Sequence, residues 1–212
     1  MTLEKVLGEL CDVFAEQAVA WWSEFGTFSE RAVCANVAEQ LQRSPRKLVV
    51  VNGAPYPSGR PADERIADLK VFFDDRGTER PLWIEVKPVL YGSNYWNYGR
   101  FFTRFDAGNP ALSPSDILDD LDKSTLVPND PFALILLIAG NEACLAPNGT
   151  APGPNTSLLA GQVMHLCKSR LEHKREQQSP LMVTTATQFG PGAQWPFCVV
   201  AIAAEADRTV PQ

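Results

Sequence analysis

Apolar residues recur at helical spacing from the start of the chain. Val6, Leu10, Val13, Phe14 and Ala18 share one stripe and predict a helix over roughly Leu3 to Trp22. Gly26 and Thr27 interrupt it, and Ser29 reads as the N-cap of a second helix that reaches about Gln42 and stops at Ser44-Pro45. The inward stripe of that helix is Val33, Cys34, Val37 and Leu41, with Glu30 at its end and Glu39 opposite. The period then shortens. Lys47 to Asn52 holds the β-branched run of a strand, and a Pro/Gly-rich loop covers Gly53 to Pro61. Ala67 to Phe73 and Leu82 to Leu90 alternate as strands, and the turn Asp74-Asp75-Arg76-Gly77 makes them an antiparallel hairpin. Ser113-Pro114-Ser115-Asp116 opens a helix running to about Thr125, with Pro114 near its first position. Phe132 to Ala139 is an unbroken apolar strand, as expected where both faces are buried. Asn148 to Asn155 is a loop, Ser157 to Gln177 a long helix and Phe197 to Ala203 a last strand. This order predicts an α/β fold, a mixed β-sheet flanked by α-helices.

Composition narrows the class. With 212 residues, 45% of them hydrophobic and 21% charged, the chain can bury a full core, and disorder throughout is disfavoured. A single domain over residues 1–212 is expected, with residues 1–28 as an N-terminal helical extension. The formal net charge of -6 argues against a protein that coats polyanions, which needs excess positive charge to displace counterions, but not against a local basic surface. Cys11, Cys34, Cys144, Cys167 and Cys198 are scattered and contain no CxxC pair, so each is expected to behave as a small buried apolar residue. The first ten residues carry Glu4, Lys5 and Glu9 and lack the apolar core of a signal peptide. Phe132 to Ala139 is far shorter than the roughly 20 residues that a membrane span needs. A soluble, cytoplasmic protein with no membrane partner is the expectation.

Chemistry enters through the hairpin. Leu82, Ile84 and Val86 share one face of their strand, and Trp83, Glu85 and Lys87 share the other. On the partner strand Asp68 breaks an equally apolar context, and direct pairing brings it towards Glu85 across the sheet. Two carboxylates and a lysine on adjacent strands can form a hard-cation site, since oxygen ligands suit Mg²⁺. Taken alone, the same residues describe an exposed ion pair of little energetic weight. Glu30 alone is explained by the helix dipole, which favours an acid in the first turn. The order of helix acid, strand acid and E-x-K strand gives the set more meaning than its parts.

In that order the chain resembles the PD-(D/E)XK nuclease superfamily, also called restriction-endonuclease-like. The residues that carry the resemblance are Glu30, then Asp68 in Arg65-Ile66-Ala67-Asp68-Leu69-Lys70-Val71, then Glu85-Val86-Lys87, with sixteen residues between the two strand acids. The chain departs from the pattern at Ala67, where the name-giving Pro would stand, and at Pro88, which removes a backbone donor beside Lys87. The resemblance spans about Ser29 to Ala139 and implies a restriction-endonuclease-like sheet. It implies that Asp68 and Glu85 bind Mg²⁺, which Mn²⁺ can replace, together with the backbone carbonyl of Val86. Lys87 would orient or activate the attacking water, and Glu30 would act directly or through water. The implied activity is endonucleolytic hydrolysis of DNA in restriction or repair, with nucleic acid as partner and a homodimer for cutting both strands. RNA differs only as a substrate.

Tyr91 to Phe105 interleaves Tyr95, Trp96, Tyr98, Phe101 and Phe102 with Arg100 and Arg104, a pattern that suits stacked bases and phosphates as well as a flap packed on the sheet. On the late helix Lys168 and Arg170 are further candidates for phosphate contact, with Glu172 and Glu176 at hand as ion-pair partners. Asp116, Asp119, Asp120 and Asp122 crowd one helix and read as a solvated surface. The competing expectation is a catalytically inactive protein that keeps the nuclease fold and binds a basic partner through its acidity.

Overall fold

The computed structural model describes residues 2–25, 29–43, 48–57, 65–75, 77–90, 115–139, 156–177, 181–189 and 197–206. Four α-helices are present among them: α1 (Leu3–Phe25), α2 (Glu30–Arg43), α3 (Ser115–Asp122) and α4 (Thr156–Gln177). The strands are β1 (Val49–Pro55), β2 (Ile66–Asp75), β3 (Thr78–Leu90), β4 (Phe132–Ala139), β5 (Leu181–Phe189) and β6 (Phe197–Ala206). They form one sheet in the order β1-β2-β3-β4-β6-β5. The β3–β4 pair is parallel and the other four pairs are antiparallel, so the sheet is mixed.

Local chemistry explains the element ends. The Ser29 hydroxyl accepts from Ala32 N–H at 3.4 Å and its carbonyl accepts from Val33 N–H at 2.9 Å, so Ser29 caps α2 as its sequence position requires. Gly77 closes the β2–β3 hairpin at φ 88°, a left-handed conformation that costs glycine nothing, and its N–H donates to Asp74 Oδ1 at 2.6 Å. Both strands of the hairpin run longer than their alternation suggests. β5 is an addition to the expected order: Val183, Thr184, Thr185 and Thr187 are β-branched, but they lie among polar and small residues that mask the period.

Helices α1 and α4 both pack on β4, β5 and β6. Ala133 to Ile138 and Cys198 to Ala204 are buried at every position, so both faces of these strands are covered and the two helices lie on opposite sides. Helix α2 packs beside α1 and covers β1, β2 and β3, while α3 packs beside α4 against β3 and β4. Val6, Leu7, Leu10 and Phe14 of α1 belong to the same buried cluster as the strands, so this helix, read from sequence as an extension, is built into the core. Each such side chain contributes about 1.5–3 kcal/mol by leaving water. The described cysteines, Cys11, Cys34, Cys167 and Cys198, are buried thiols; Cys144 lies outside the described residues. Burial pushes the thiols of Cys11, Cys167 and Cys198 up to about 12, so they stay protonated and inert. Among the described residues no helix is long and apolar enough to cross a membrane.

One half of the sheet is not fully covered. On β2, Ala67, Leu69, Val71 and Phe73 are buried, while Ile66, Asp68, Lys70 and Phe72 on the other face are partly or fully exposed. This second face carries Asp68, Lys70, Glu85 and Lys87, while Arg80, buried on the first face, pairs with Asp75 and Glu205. The β2–β3 ladder runs from Asp75↔Thr78 to Leu69↔Ile84, whereas β3 stays paired with β4 from Trp83↔Phe132 through to Leu90↔Ala139. The site lies where the first ladder ends and the second continues.

Candidate active site

Glu85 and Lys87 follow the point where β2 leaves β3. Asp68, one residue beyond the last paired position of the ladder, turns its carboxylate to that fork: Asp68 Oδ2 accepts the backbone N–H of Val86 at 2.7 Å. The side chain thus takes over from the backbone ladder and ties β2 to the E-x-K segment. Glu85 is only 3% exposed. Its Oε1 accepts from the Tyr56 hydroxyl at 2.6 Å and its Oε2 from the Lys123 ammonium at 2.8 Å. Tyr56 follows β1, where Tyr56 N–H donates to the Arg65 carbonyl at 3.1 Å and keeps the chain beside β2. The Tyr56 ring stacks on Trp83 at 5.3 Å between centroids, and Trp83 Nε1 donates to Asp130 Oδ2 at 3.0 Å. Trp83 therefore fixes the tyrosine that holds Glu85. Lys70 lies over the same indole at 4.0 Å.

Lys87 Nζ meets Asp120 Oδ2 at 2.8 Å and Glu30 Oε2 at 3.9 Å. Lys123 Nζ meets Asp120 Oδ1 at 2.8 Å. A chain of alternating charge results, running Glu30, Lys87, Asp120, Lys123, Glu85. Counting Asp68, four carboxylates face two ammonium groups, an excess of two negative charges when all are ionised.

Burial and mutual repulsion act on these acids together. Glu30 is pushed up to about 7, first by burial and then by the Asp68 charge. Burial also pushes Glu85 up to about 7, against the hydrogen bonds from Lys123 and Tyr56 that favour its charged form. Asp68 is raised by burial, with the Val86 N–H opposing the shift. Burial works against the Lys87 and Lys123 ammonium groups, but the surrounding carboxylates outweigh it and raise both above the ordinary lysine value.

The residues singled out by sequence order, Glu30, Asp68, Glu85 and Lys87, thus come together around one point of β3. Arg100 and Arg104, and the aromatic segment that contains them, lie outside the described residues. Lys168 and Arg170 sit on α4. The Arg170 guanidinium is engaged by Asp122 of α3, with Nη2 to Oδ2 at 2.6 Å and Nε to Oδ1 at 3.2 Å, an ion pair between helices. The acidic helix α3 requires a correction. Asp120 is 7% exposed and reaches Lys87, because it shares the inward stripe of Ile117 and Leu121 at helical spacing. Asp119 is exposed, as sequence suggests for the acids of that helix, and Asp122 is half-buried. The stripe that singles out Glu30 on α2 finds Asp120 in the same way. Tyr56, expected in a loop, and Lys123 carry no comparable sequence signal.

Among the described residues no group of three or more His, Cys, Asp or Glu side chains is gathered as a ready metal cage. The reason is visible in the charge order, where Lys123 stands between Glu85 and Asp120, and Lys87 between Asp120 and Glu30. The donor chemistry nonetheless fits a hard divalent cation: carboxylate oxygens, an excess of two negative charges, and two glutamates with pKa values near 7 that a nearby cation would bring down. No protein-family model matches the chain, and no curated protein matches it.

Proposed function

We propose that this chain is a Mg²⁺-dependent endonuclease with a restriction-endonuclease-like fold that hydrolyses DNA phosphodiester bonds. The observation that carries the reading is the meeting of Glu30, Asp68, Glu85 and Lys87 at the fork between β2 and β3, in a pocket of excess negative charge. Asp68 and Glu85 would hold the ion, with the Val86 carbonyl as a third oxygen. When bound, Mg²⁺ supplies positive charge against the phosphodiester and acidifies a water. Lys87 is held by Asp120 and Glu30 with its ammonium only partly buried, where it can orient the attacking water and stabilise negative charge developing on phosphate oxygen. Glu30, whose Oε2 lies 3.9 Å from the Lys87 ammonium, would act beside it, directly or through water.

The test is cleavage of single-stranded, double-stranded and branched DNA by the purified protein with Mg²⁺ or Mn²⁺. Metal-dependent cleavage is expected, lost in Glu85→Ala and Lys87→Ala proteins that keep their circular dichroism. Failure to cut any of the three substrates overturns the reading. One observation favours an inactive nuclease fold that binds a basic partner: Tyr56 and Lys123 satisfy both Glu85 oxygens with no cation needed. Under that reading, replacing Asp68 and Glu85 leaves the binding of the basic partner unchanged.

A further inference from the structure

We propose that Lys123 is an internal counter-cation of the carboxylate site, which a divalent ion must displace from Glu85, so that α3 and the turn after it set the cation concentration at which the site fills. The inference rests on the metal-dependent reading above and adds a residue and a regulation to it. Three observations carry it.

First, Lys123 Nζ sits 2.8 Å from Glu85 Oε2 and 2.8 Å from Asp120 Oδ1, bridging two carboxylates as a small cation would. Tyr56 already occupies Glu85 Oε1, so Oε2 is the oxygen over which ammonium and ion compete. Second, the two ends of the bridge differ. Asp120 lies three residues before Lys123 on the same helical segment, a neighbour that Lys123 keeps whatever happens at the sheet, whereas Glu85 belongs to β3. Lys123 can therefore leave Glu85 without leaving Asp120. Third, Lys123 opens the 3-10 helix Lys123–Leu126 and its side chain is 23% exposed, against 4% for Glu85. A four-carbon stem on a short 3-10 turn, with an outlet to solvent, can swing while the buried glutamate stays fixed. Asp120 keeps two ammonium neighbours or one and is never stranded, because Lys87 contacts its other oxygen.

Calorimetric titration of the full chain with MgCl₂ and MnCl₂ tests this directly, with no need for activity. Lys123→Met is expected to bind the cation about tenfold more tightly than the natural protein, about 1.4 kcal/mol. Its thermal midpoint without cation should fall, since Glu85 loses a partner, and should rise more steeply when cation is added. Lys70→Met is the control for general charge: it removes an ammonium from the same sheet face, but one that lies over the Trp83 ring, and a change of less than about threefold is expected. Lys123→Gln, which keeps a donor for Glu85 without the charge, should fall between them and serves if the Met variant does not fold. Equal tightening by Lys123→Met and Lys70→Met, or none by either Lys123 variant while the natural protein binds, overturns the inference and leaves the metal reading standing. Absence of binding in every protein overturns both.

Discussion

The two halves of the sheet are built from different materials. Around β4 and β6 every described side chain from Ala133 to Ile138 and from Cys198 to Ala204 is apolar and buried, with α1 on one face and α4 on the other. Around β2 and β3 one face is largely apolar, with Arg80 paired to Asp75 and Glu205, but the other holds Asp68, Lys70, Glu85 and Lys87 in a setting that raises carboxylate pKa values. The first half gains its free energy from area removed from water. The second accepts desolvation of charge and recovers part of it through ion pairs and hydrogen bonds. A rigid apolar half can support a charged half that is strained by its own electrostatics, and this division of labour places the charged cluster at the fork between β2 and β3.

Mutations on the two sides should separate stability from activity. Leu134→Ala, at a fully buried position of β4, is expected to cost about 2–5 kcal/mol in urea denaturation while leaving the rate per folded molecule intact. Lys87→Ala should do the reverse, lowering DNA cleavage by about 10²-fold or more with a small change in the denaturation midpoint. If Lys87→Ala unfolds the protein as Leu134→Ala does, the contrast fails. Asp68 bridges the two behaviours. Asp68→Ala leaves the Val86 N–H without its acceptor and should cost about 1–3 kcal/mol, whereas Asp68→Asn keeps an acceptor oxygen and should lose cleavage with most of its stability retained.

pH sharpens the comparison further. Glu30 and Glu85 have folded-state pKa values of about 7 against an ordinary 4.5, so between those limits the folded protein binds more protons than the unfolded chain. Their contribution is most favourable below about pH 4.5 and is lost as pH rises to about 7. Cation-free protein should therefore lose urea resistance across that window, and Glu85→Gln should flatten the loss. The smallest effect belongs to Arg170→Ala. Its pair with Asp122 is 40% and 33% exposed, and its removal should cost no more than about 1 kcal/mol, read as a small shift in thermal midpoint.

Legibility in the sequence followed the same division. Phe132 to Ala139 is a strand with the bounds its apolar run suggests, and α2 presents Val33, Cys34, Val37 and Leu41 inward as its stripe requires. Helical and strand periods report burial directly, so elements that only bury surface are easy to read. Glu30, Asp68, Glu85 and Lys87 stand out by their order: an acid at the end of an inward helix stripe, an acid in an apolar strand, and an E-x-K strand. Asp120 did not, since three other acids on the same helix hid the one that shares a stripe with Ile117 and Leu121. Tyr56 and Lys123 depend on tertiary position alone: one follows the end of β1, where sequence predicts a loop, and the other starts a 3-10 turn whose side chain reaches a strand 38 residues away in sequence.

The hairpin turn at Gly77 offers a practical handle on all of this. It lies eight residues along β3 from Glu85, about 27 Å at the rise of a strand, and its N–H is held by the exposed Asp74 side chain. A fluorophore or surface tether attached there would stand clear of the fork while sharing a continuous strand with it. Single molecules could then be immobilised in a known orientation, with the carboxylates presented to DNA in solution.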